Sequence, residues 1–262
     1  MKKILKAKIL QNKKIAEDHF CMDIGAPWLG TNSRPGQFLN IRVRDEATDP
    51  LLRIPLGIHR IRKKGVSLLY KVLGPGTEIL KSRRKGEMID VLGPLGNGFD
   101  LSVFSRRKNA TAVLVSGGHG IAPLFSLAEE LRRKKVRVEF FTGAKAGKHI
   151  IKTGELNKLG VKVHIATEDG TRGRKGLVTD IVRDYMKRNP NPEAIFACGP
   201  KPMTAAVAAI AKEKGIKAQV TYDEYMACGI GACRGCAVET TEGIKLSCKD
   251  GPVFDAEIIK WT

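Results

Sequence analysis

The sequence lacks the features of a membrane or exported protein. No run of 18 consecutive apolar residues occurs in the 262-residue chain, so no membrane-spanning helix is expected. The basic start contains no continuous apolar stretch, because it is interrupted by Lys6, Lys8, Lys13 and Lys14. A signal peptide is therefore not expected, and a cytoplasmic location follows by default. Internal repeats and low-complexity tracts are also missing.

Acidic and aromatic residues are scarce. The chain has 27 Asp and Glu against 46 Lys and Arg, a net charge of +19, and only 6% of its residues are aromatic. The basic runs are short and cover residues 83–85, 106–108 and 132–135. Proteins that stack on nucleic-acid bases interleave aromatic and basic residues, and these runs do not. The pattern favours a solvated basic surface, and no nucleic-acid partner is expected.

The first hundred residues have the pattern of an all-β domain. Apolar residues alternate over positions 38–43, 66–73 and 88–92, and turns rich in Pro and Gly separate these stretches. Several short strands with regular turn signals are typical of a small antiparallel barrel or sandwich.

Residues 105–215 change to an α/β pattern. Continuous apolar runs at 112–115 and 194–197 are typical of buried parallel strands, and strands are also predicted over 136–142 and 161–166. Apolar residues recur at helical spacing over 121–131, and helices are predicted over 177–186 and 202–214. Alternating strands and helices indicate a parallel sheet.

Four of the six cysteines lie close together near the end of the chain. Their spacing is Cys228-x4-Cys233-x2-Cys236-x11-Cys248. The first three match the plant-type [2Fe–2S] spacing, although the last gap is shorter. Glycines at 229, 231 and 235 allow the loop to wrap an anionic cluster and direct backbone N–H groups at its sulfurs. A four-thiolate zinc site and disulfides are the alternatives, but zinc modules usually pair their cysteines as C-x2-C twice.

Glycine-rich turns mark candidate nucleotide and flavin sites. In an open α/β sheet, ligands bind beyond the carboxyl ends of the strands, and helix N-termini suit phosphate. The candidates for a nicotinamide nucleotide are Gly117, Gly118, Gly120, Cys198, Gly199 and Pro200. For a flavin, Arg53 would neutralise a diphosphate and the turn before Glu78 would offer N–H groups. Read alone, the glycine turn at 117–120 is equally compatible with a tight structural turn, and both flavin segments are better explained by a purely structural role.

The order of these motifs resembles the ferredoxin–NADP⁺ reductase family. The residues around the cysteines (226–236 and 248–254) and the segment 90–99 narrow the resemblance to electron-transfer subunits of class 1B dihydroorotate dehydrogenase. The resemblance implies an α+β multidomain fold: an N-terminal antiparallel β-barrel for FAD (1–102), a central α/β parallel-sheet domain for NAD (103–216) and a small C-terminal [2Fe–2S] module (217–262). It implies FAD contacts from Arg53, Pro55, Leu56, Gly57, Leu69, Tyr70, Lys71, Gly76 and Thr77. Cys228, Cys233, Cys236 and Cys248 would be the metal ligands.

The resemblance also implies a function shared with a partner. Electrons would pass from an FMN-containing dihydroorotate dehydrogenase catalytic subunit through the cluster and FAD to NAD⁺, in a heterotetramer of two plus two subunits. The sequence has no evident carboxylate–His or Cys–His catalytic arrangement, so no catalytic residue is predicted and the chain is not expected to oxidise dihydroorotate alone. The family usually has Ser or Thr at Gly57 and Arg at Ile54. These departures leave room for another NAD(P)H-linked flavin/iron–sulfur subunit, of the ferredoxin:NADP⁺ transhydrogenase, sulfide dehydrogenase or hydrogenase type; a zinc-bound basic nucleic-acid-binding protein is a further alternative.

Overall fold

A computed structural model of the protein describes residues 2–44, 49–105, 109–189 and 191–261. The chain divides into two compact units. The barrel unit contains Met1–Gly98, Asp223–Glu239 and Gly243–Val253, and the sheet unit contains Phe99–Tyr222, Thr240–Glu242 and Phe254–Thr262. The segment that carries the four clustered cysteines therefore belongs to the same compact unit as the N-terminal strands.

Six strands of the described residues close the barrel, in the order β1-β2-β5-β4-β3-β6. Its elements are β1 (Lys3–Ala16), β2 (His19–Gly25), α1 (Pro27–Asn32), β3 (Phe38–Arg42), β4 (Ile54–Arg62), β5 (Gly65–Lys71), α2 (Pro75–Ser82) and β6 (Met88–Leu95). All neighbouring strands are antiparallel, and β1 closes the barrel by pairing with β6.

Alternation of inward and outward side chains fills the barrel. Ile9, Ile24 and Leu68 point into a core in which each is almost fully buried, while Lys6 and Lys8 on β1 are exposed. This period of two is the reason that a half-buried strand alternates between apolar and polar residues. Both α1 and α2 have proline at the start, where its missing N–H costs no hydrogen bond.

The rest of the barrel unit is the cysteine-bearing segment. It contains β14 (Gly243–Leu246) and all but the last residue of β13 (Ala237–Thr240), the strand with which β14 pairs. A second small core joins this segment to the barrel, since Phe38 and Leu95 of the barrel pack with Cys236 and Cys248.

The sheet unit is built on seven strands within the described ranges, in the order β10-β9-β8-β7-β11-β12-β15. Its strands are β7 (Thr111–Gly117), β8 (Arg137–Ala144), β9 (Lys162–Thr167), β10 (Arg174–Lys175), β11 (Ala194–Cys198), β12 (Ala218–Thr221) and β15 (Val253–Asp255). Its helices are α3 (Ile121–Arg133), α4 (Thr153–Lys158), α5 (Val178–Arg188) and α6 (Lys201–Glu213). The strands from β10 to β12 pair in parallel.

The predicted fold class is confirmed: an antiparallel barrel, a parallel-sheet domain and a C-terminal cysteine segment are all present. Several elements were not predicted from the sequence: strands β1, β2, β10, β12, β13, β14 and β15, and the short helices α1 and α4. No helix in the part of the chain that the structure describes is long and apolar enough to span a bilayer. The predicted basic run at 106–108 lies outside the described residues.

Candidate functional site

The four clustered cysteines come from two turns of the barrel unit. Cys228, Cys233 and Cys236 lie on the loop before β13, and Cys248 lies in the turn after β14. Cys236 and Cys248 are almost completely buried, whereas Cys228 is half-buried and Cys233 is exposed. The loop therefore places two thiols in the protein interior and two nearer the surface.

The thiols form two pairs. The backbone N–H and the thiol of Cys233 both contact the Cys228 sulfur, with an N–Sγ distance of 3.4 Å. The backbone N–H of Cys248 lies 3.4 Å from the Cys236 sulfur, and the two thiols hydrogen bond. A [2Fe–2S] cluster needs four thiolates shared between two irons, and two pairs supply this arrangement. Over the described residues, no three His, Cys, Asp or Glu side chains converge as ligands of one metal ion.

Backbone N–H groups control the charge of the thiols. Burial alone would raise the pKa of Cys228, but hydrogen bonds from the N–H groups of Cys233 and Ile230 and from the Cys233 thiol lower it to about 6. Burial and the adjacent Cys236 thiol raise the pKa of Cys248 to about 12. A thiolate is the metal-binding form, so Cys228 is prepared for a metal and Cys248 must release its proton when one binds.

The loop's backbone turns depend on glycine. Gly229 and Gly231 have φ values of +69° and +90°, and Arg234 adopts a left-handed φ of +61°. These conformations turn successive peptides, so that the N–H groups of Ile230 and Cys233 both reach the Cys228 sulfur. The donor set and the amide-lined loop fit an anionic iron–sulfur cluster.

Two barrel residues that were not predicted as site residues donate hydrogen bonds to different parts of the cysteine segment. The Asn40 side chain of β3 donates a hydrogen bond to the Cys228 carbonyl oxygen at 3.2 Å. Asn97, after β6, donates to the Asp250 carbonyl oxygen at 2.8 Å. A buried asparagine in the apolar strand FLNIR was the available sequence signal for Asn40.

The residues predicted to contact FAD lie at neighbouring positions of the barrel unit. Arg53 immediately precedes β4; Pro55, Leu56 and Gly57 are in β4; Leu69, Tyr70 and Lys71 end β5; Gly76 and Thr77 begin α2. Strands β4 and β5 pair in antiparallel fashion, with Ile58 opposite Leu68. This pairing brings the predicted residues of β4 next to those of β5. Helix α2 packs on the start of β4, since a Cβ at Gly76 would overlap the Ile54 side chain.

Several of these side chains already have partners in the barrel. The Arg53 guanidinium forms an ion pair with Asp90, at 2.8 Å between Nη2 and Oδ1. The Thr77 hydroxyl accepts hydrogen bonds from the N–H groups of Leu73 and Gly74, so it caps the turn before α2. Tyr70 points into the barrel core, where burial raises its pKa to about 12. These residues therefore offer a ligand backbone groups more readily than side chains.

Gly57 offers open space, and the start of α2 offers backbone donors. A Cβ at Gly57 would meet no atom within 4 Å. At α2, helix geometry leaves the N–H groups of Gly76 and Thr77 without an intrahelical partner. A planar ring beside β4 and a phosphate at the start of α2 fit these features.

The six residues predicted for a nicotinamide nucleotide come together in the sheet unit. Strands β7 and β11 are parallel neighbours, with Ser116 opposite Cys198, so the glycine turns that follow them share one sheet edge. A Cβ at Gly199 would lie 2.9 Å from the Gly117 backbone nitrogen. Gly118 has a φ of +53° and open space around its Cα. The glycine turns therefore pack closely against each other, and Gly118 leaves the open space that close approach of a phosphate requires.

Two family models match the chain. The iron–sulfur cluster binding domain of dihydroorotate dehydrogenase B matches residues 223–260, and the oxidoreductase NAD-binding domain matches residues 114–209. The first includes all four paired cysteines, and the second includes both glycine turns of the sheet edge.

Curated relatives and a solved structure match over nearly the whole chain. The electron transfer subunit of dihydroorotate dehydrogenase B (NAD⁺) from Desulforamulus reducens is 35% identical, with 100% of each chain covered. The subunit of the same name from Listeria innocua is 40% identical over 95% of this chain and 96% of its own. A structure of the NADH-dependent reduced ferredoxin–NADP oxidoreductase, a flavin-based electron-bifurcating enzyme, superposes with a TM-score of 0.84 at 32% identity, covering 97% of this chain and 90% of that one.

Proposed function

This chain belongs to the family of dihydroorotate dehydrogenase B electron transfer subunits, and from that premise we propose that it carries electrons between a catalytic partner subunit and NAD⁺. It is an oxidoreductase subunit of pyrimidine biosynthesis, with a [2Fe–2S] cluster and FAD as its cofactors. When bound, the nicotinamide exchanges a hydride, the flavin exchanges electrons singly or in pairs, and the cluster exchanges them singly.

The cluster would be held by Cys228, Cys233, Cys236 and Cys248. Each thiol pair would bind one iron. The N–H groups directed at Cys228 would stabilise negative charge on its sulfur. Packing of Cys236 and Cys248 against Phe38 excludes water from one side of the site. The single observation that carries the proposal is this pairing of thiols on the wall of the barrel.

The flavin would lie along β4, with its ring in the space beside Gly57. Gly57 lacks the hydroxyl of the Ser or Thr that is usual at this position, so it offers only backbone groups to the ring. The first-turn N–H groups of α2 suit the diphosphate. The aliphatic side chain of Ile54 packs against Gly76 at this point. The further contacts proposed for the flavin come from Arg53, Pro55, Leu56, Leu69, Tyr70, Lys71 and Thr77.

The nicotinamide nucleotide would bind at the sheet edge formed by Gly117, Gly118, Gly120, Cys198, Gly199 and Pro200. Its phosphates would approach the backbone where Gly118 leaves open space. We propose three functional regions along the chain: residues 1–102 for FAD, residues 103–216 for NAD and residues 217–262 for the cluster.

Serine substitutions of cysteine test the cluster assignment. We expect Cys236→Ser and Cys248→Ser to abolish the electron paramagnetic resonance (EPR) signal of the reduced cluster in anaerobically purified protein, because each removes one ligand of a buried pair. Cys21→Ser is the matched control, since Cys21 is also buried but lies on β2. A signal that persists at full strength in Cys248→Ser, or a signal lost in Cys21→Ser, contradicts the assignment.

The name of the related subunits implies a catalytic partner. Its cofactor and the stoichiometry of the assembly are our proposal. We infer an FMN-containing catalytic subunit that oxidises dihydroorotate, assembled as two copies of each chain. Co-expression and size-exclusion chromatography with mass measurement test the stoichiometry. Reduction of NAD⁺ by dihydroorotate only when both subunits are present supports the division of labour, whereas turnover by this chain alone contradicts it.

A second function is favoured by one comparison. The similarity to the NADH-dependent reduced ferredoxin–NADP oxidoreductase covers almost the whole chain, and Gly57 and Ile54 depart from the motif usual in dihydroorotate dehydrogenase subunits. The competing proposal is a subunit that exchanges electrons between ferredoxin and nicotinamide nucleotides. Affinity purification from the native cell distinguishes the two: a co-purifying dihydroorotate-oxidising FMN protein supports the first, and a ferredoxin-oxidising flavoprotein supports the second.

A further inference from the structure

A buried asparagine stands in the strand that faces the cysteine loop. Asn40 lies on β3 between Leu39 and Ile41, and it is 0% exposed. Leu39 and Ile41 point into the barrel core. Alternation along the strand therefore turns Asn40 away from that core, and its side chain contacts the loop that carries Cys228.

The asparagine carboxamide contacts the loop at Cys228 and Gly229. Its Nδ2 donates to the Cys228 carbonyl oxygen at 3.2 Å, across 188 residues of sequence. It also fills the space over the next residue, since a Cβ at Gly229 would overlap the carboxamide. Asn40 thus contacts the peptide that joins the first predicted ligand to the glycine of the turn.

This peptide decides where the loop's N–H groups point. Gly229 has a φ of +69°, and the N–H groups of Ile230 and Cys233 then lie 3.4 Å from the Cys228 sulfur. Rotation of the Cys228–Gly229 peptide would turn these donors away. Fixing its carbonyl oxygen therefore fixes the hydrogen bonds to the sulfur.

The Asn40 carboxamide also destabilises the folded protein through its carbonyl oxygen. Among the described residues its Oδ1 is buried without a hydrogen-bond partner. A buried unpaired acceptor is unfavourable, and a leucine of similar volume would remove it. The backbone of Asn40 is bonded as well, because Arg53 Nη1 donates to its carbonyl oxygen at 3.4 Å. The residue thus links the cluster loop to the segment that begins β4.

We propose that Asn40 is a positioning residue for the iron–sulfur site, which holds the Cys228 peptide so that the following N–H groups stay directed at the Cys228 sulfur. The inference rests on the proposed cluster, and it concerns how the barrel controls that cluster. Asn40 would act through the backbone of Cys228 rather than as a ligand.

Two substitutions disturb the same contact from opposite sides. Asn40→Leu removes the donor from the barrel, and Gly229→Ala introduces a methyl group that must displace the carboxamide. Each is compared with a control that lacks the Cys228 contact. Asn97→Leu removes another hydrogen bond between barrel and cysteine segment, and Gly243→Ala changes a glycine with φ of +95° that has open space around it.

The measurements are made on anaerobically purified protein with its cofactors. They are the EPR g-values of the reduced cluster, the rate of iron release to a chelator, and the flavin absorbance per chain. We expect Asn40→Leu and Gly229→Ala to shift the g-values and to release iron about fivefold faster, the equivalent of one net hydrogen bond. Flavin content reports that the barrel has folded.

The controls and the wild type separate the outcomes. Asn97→Leu and Gly243→Ala are expected to keep the wild-type spectrum and release rate. Wild-type values in Asn40→Leu and Gly229→Ala, or equal shifts in the controls, overturn the inference. If Asn40→Leu loses its flavin, Gly229→Ala decides, because its change lies outside the barrel strands. Wild-type protein without iron contradicts the proposed function instead.

Discussion

The ion pair between Arg53 and Asp90 gives a quantitative prediction for the barrel. The Arg53 side chain is 14% exposed and that of Asp90 is 17% exposed, with 2.8 Å between Nη2 and Oδ1. Arg53 also donates to the Asn40 and Asp90 carbonyl oxygens, each at 3.4 Å. We expect Arg53→Met to keep most of the apolar contacts of the side chain and to leave the Asp90 carboxylate without its cation.

The expected cost follows from burial and geometry. Removing one partner of a fully buried ion pair costs about 3–5 kcal/mol. Here both partners keep some contact with solvent, and Asp90 Oδ1 accepts no aligned hydrogen bond from the residues that the structure describes. We therefore expect a loss of about 2 kcal/mol, below the fully buried range. In the Arg53→Met background, Asp90→Asn should recover part of this loss because it removes the unpaired charge.

Tryptophan fluorescence can report on the barrel unit alone. Trp28 belongs to the barrel unit and Trp261 to the sheet unit, so a Trp261→Phe background leaves only Trp28 as the probe. In FAD-free protein, we expect Arg53→Met to lower the urea midpoint by about 1 M, given a slope of ~2 kcal/mol per M. Coincident midpoints for Arg53→Met and its parent, or no recovery with Asp90→Asn, would refute this reasoning.

Three further predictions concern the barrel and the two ligand-facing surfaces. Burial raises the pKa of Tyr70 to about 12 from an ordinary value near 10, so its contribution is present below pH 10 and is lost as pH rises through 12; wild type should lose about 2 kcal/mol more than Tyr70→Phe over this window in alkaline unfolding. Gly57→Ser has room for its side chain and should leave apo stability within about 0.5 kcal/mol, while the flavin absorption band shifts; loss of stability contradicts the open space. Gly120→Ala would overlap the Cys198 carbonyl oxygen, whereas Gly118→Ala meets no atom; by urea unfolding, we expect the first to cost about 3 kcal/mol and the second about 1 kcal/mol, and equal costs would contradict the close backbone approach.

Local sequence patterns predicted the strands that are buried on both faces. Strands β7 and β11 are buried on both faces, so their continuous apolar runs identified them. Strand β1 was not predicted, because its exposed face is lysine-rich and because its pairing with β6 joins residues about 85 positions apart. Such pairing leaves no periodic signal in a short window.

The cysteine spacing predicted the ligand set but not its support. Residue order identifies the four thiols, since the distances along the chain are characteristic of iron–sulfur loops. The contact between Asn40 and the Cys228 peptide joins two segments 188 residues apart. Similarly, Arg53 was predicted to face a diphosphate, and the structure pairs it with Asp90. Only the closed barrel brings these residues together.

We propose that the paired thiols of the barrel unit hold a two-iron cluster and that the barrel binds FAD. The most direct test measures iron, acid-labile sulfide, zinc and FAD per chain in anaerobically purified protein. The account predicts two irons, two sulfides and one FAD per chain, with a reduced EPR signal. A colourless protein with one zinc per chain, and neither labile sulfide nor FAD, would contradict it.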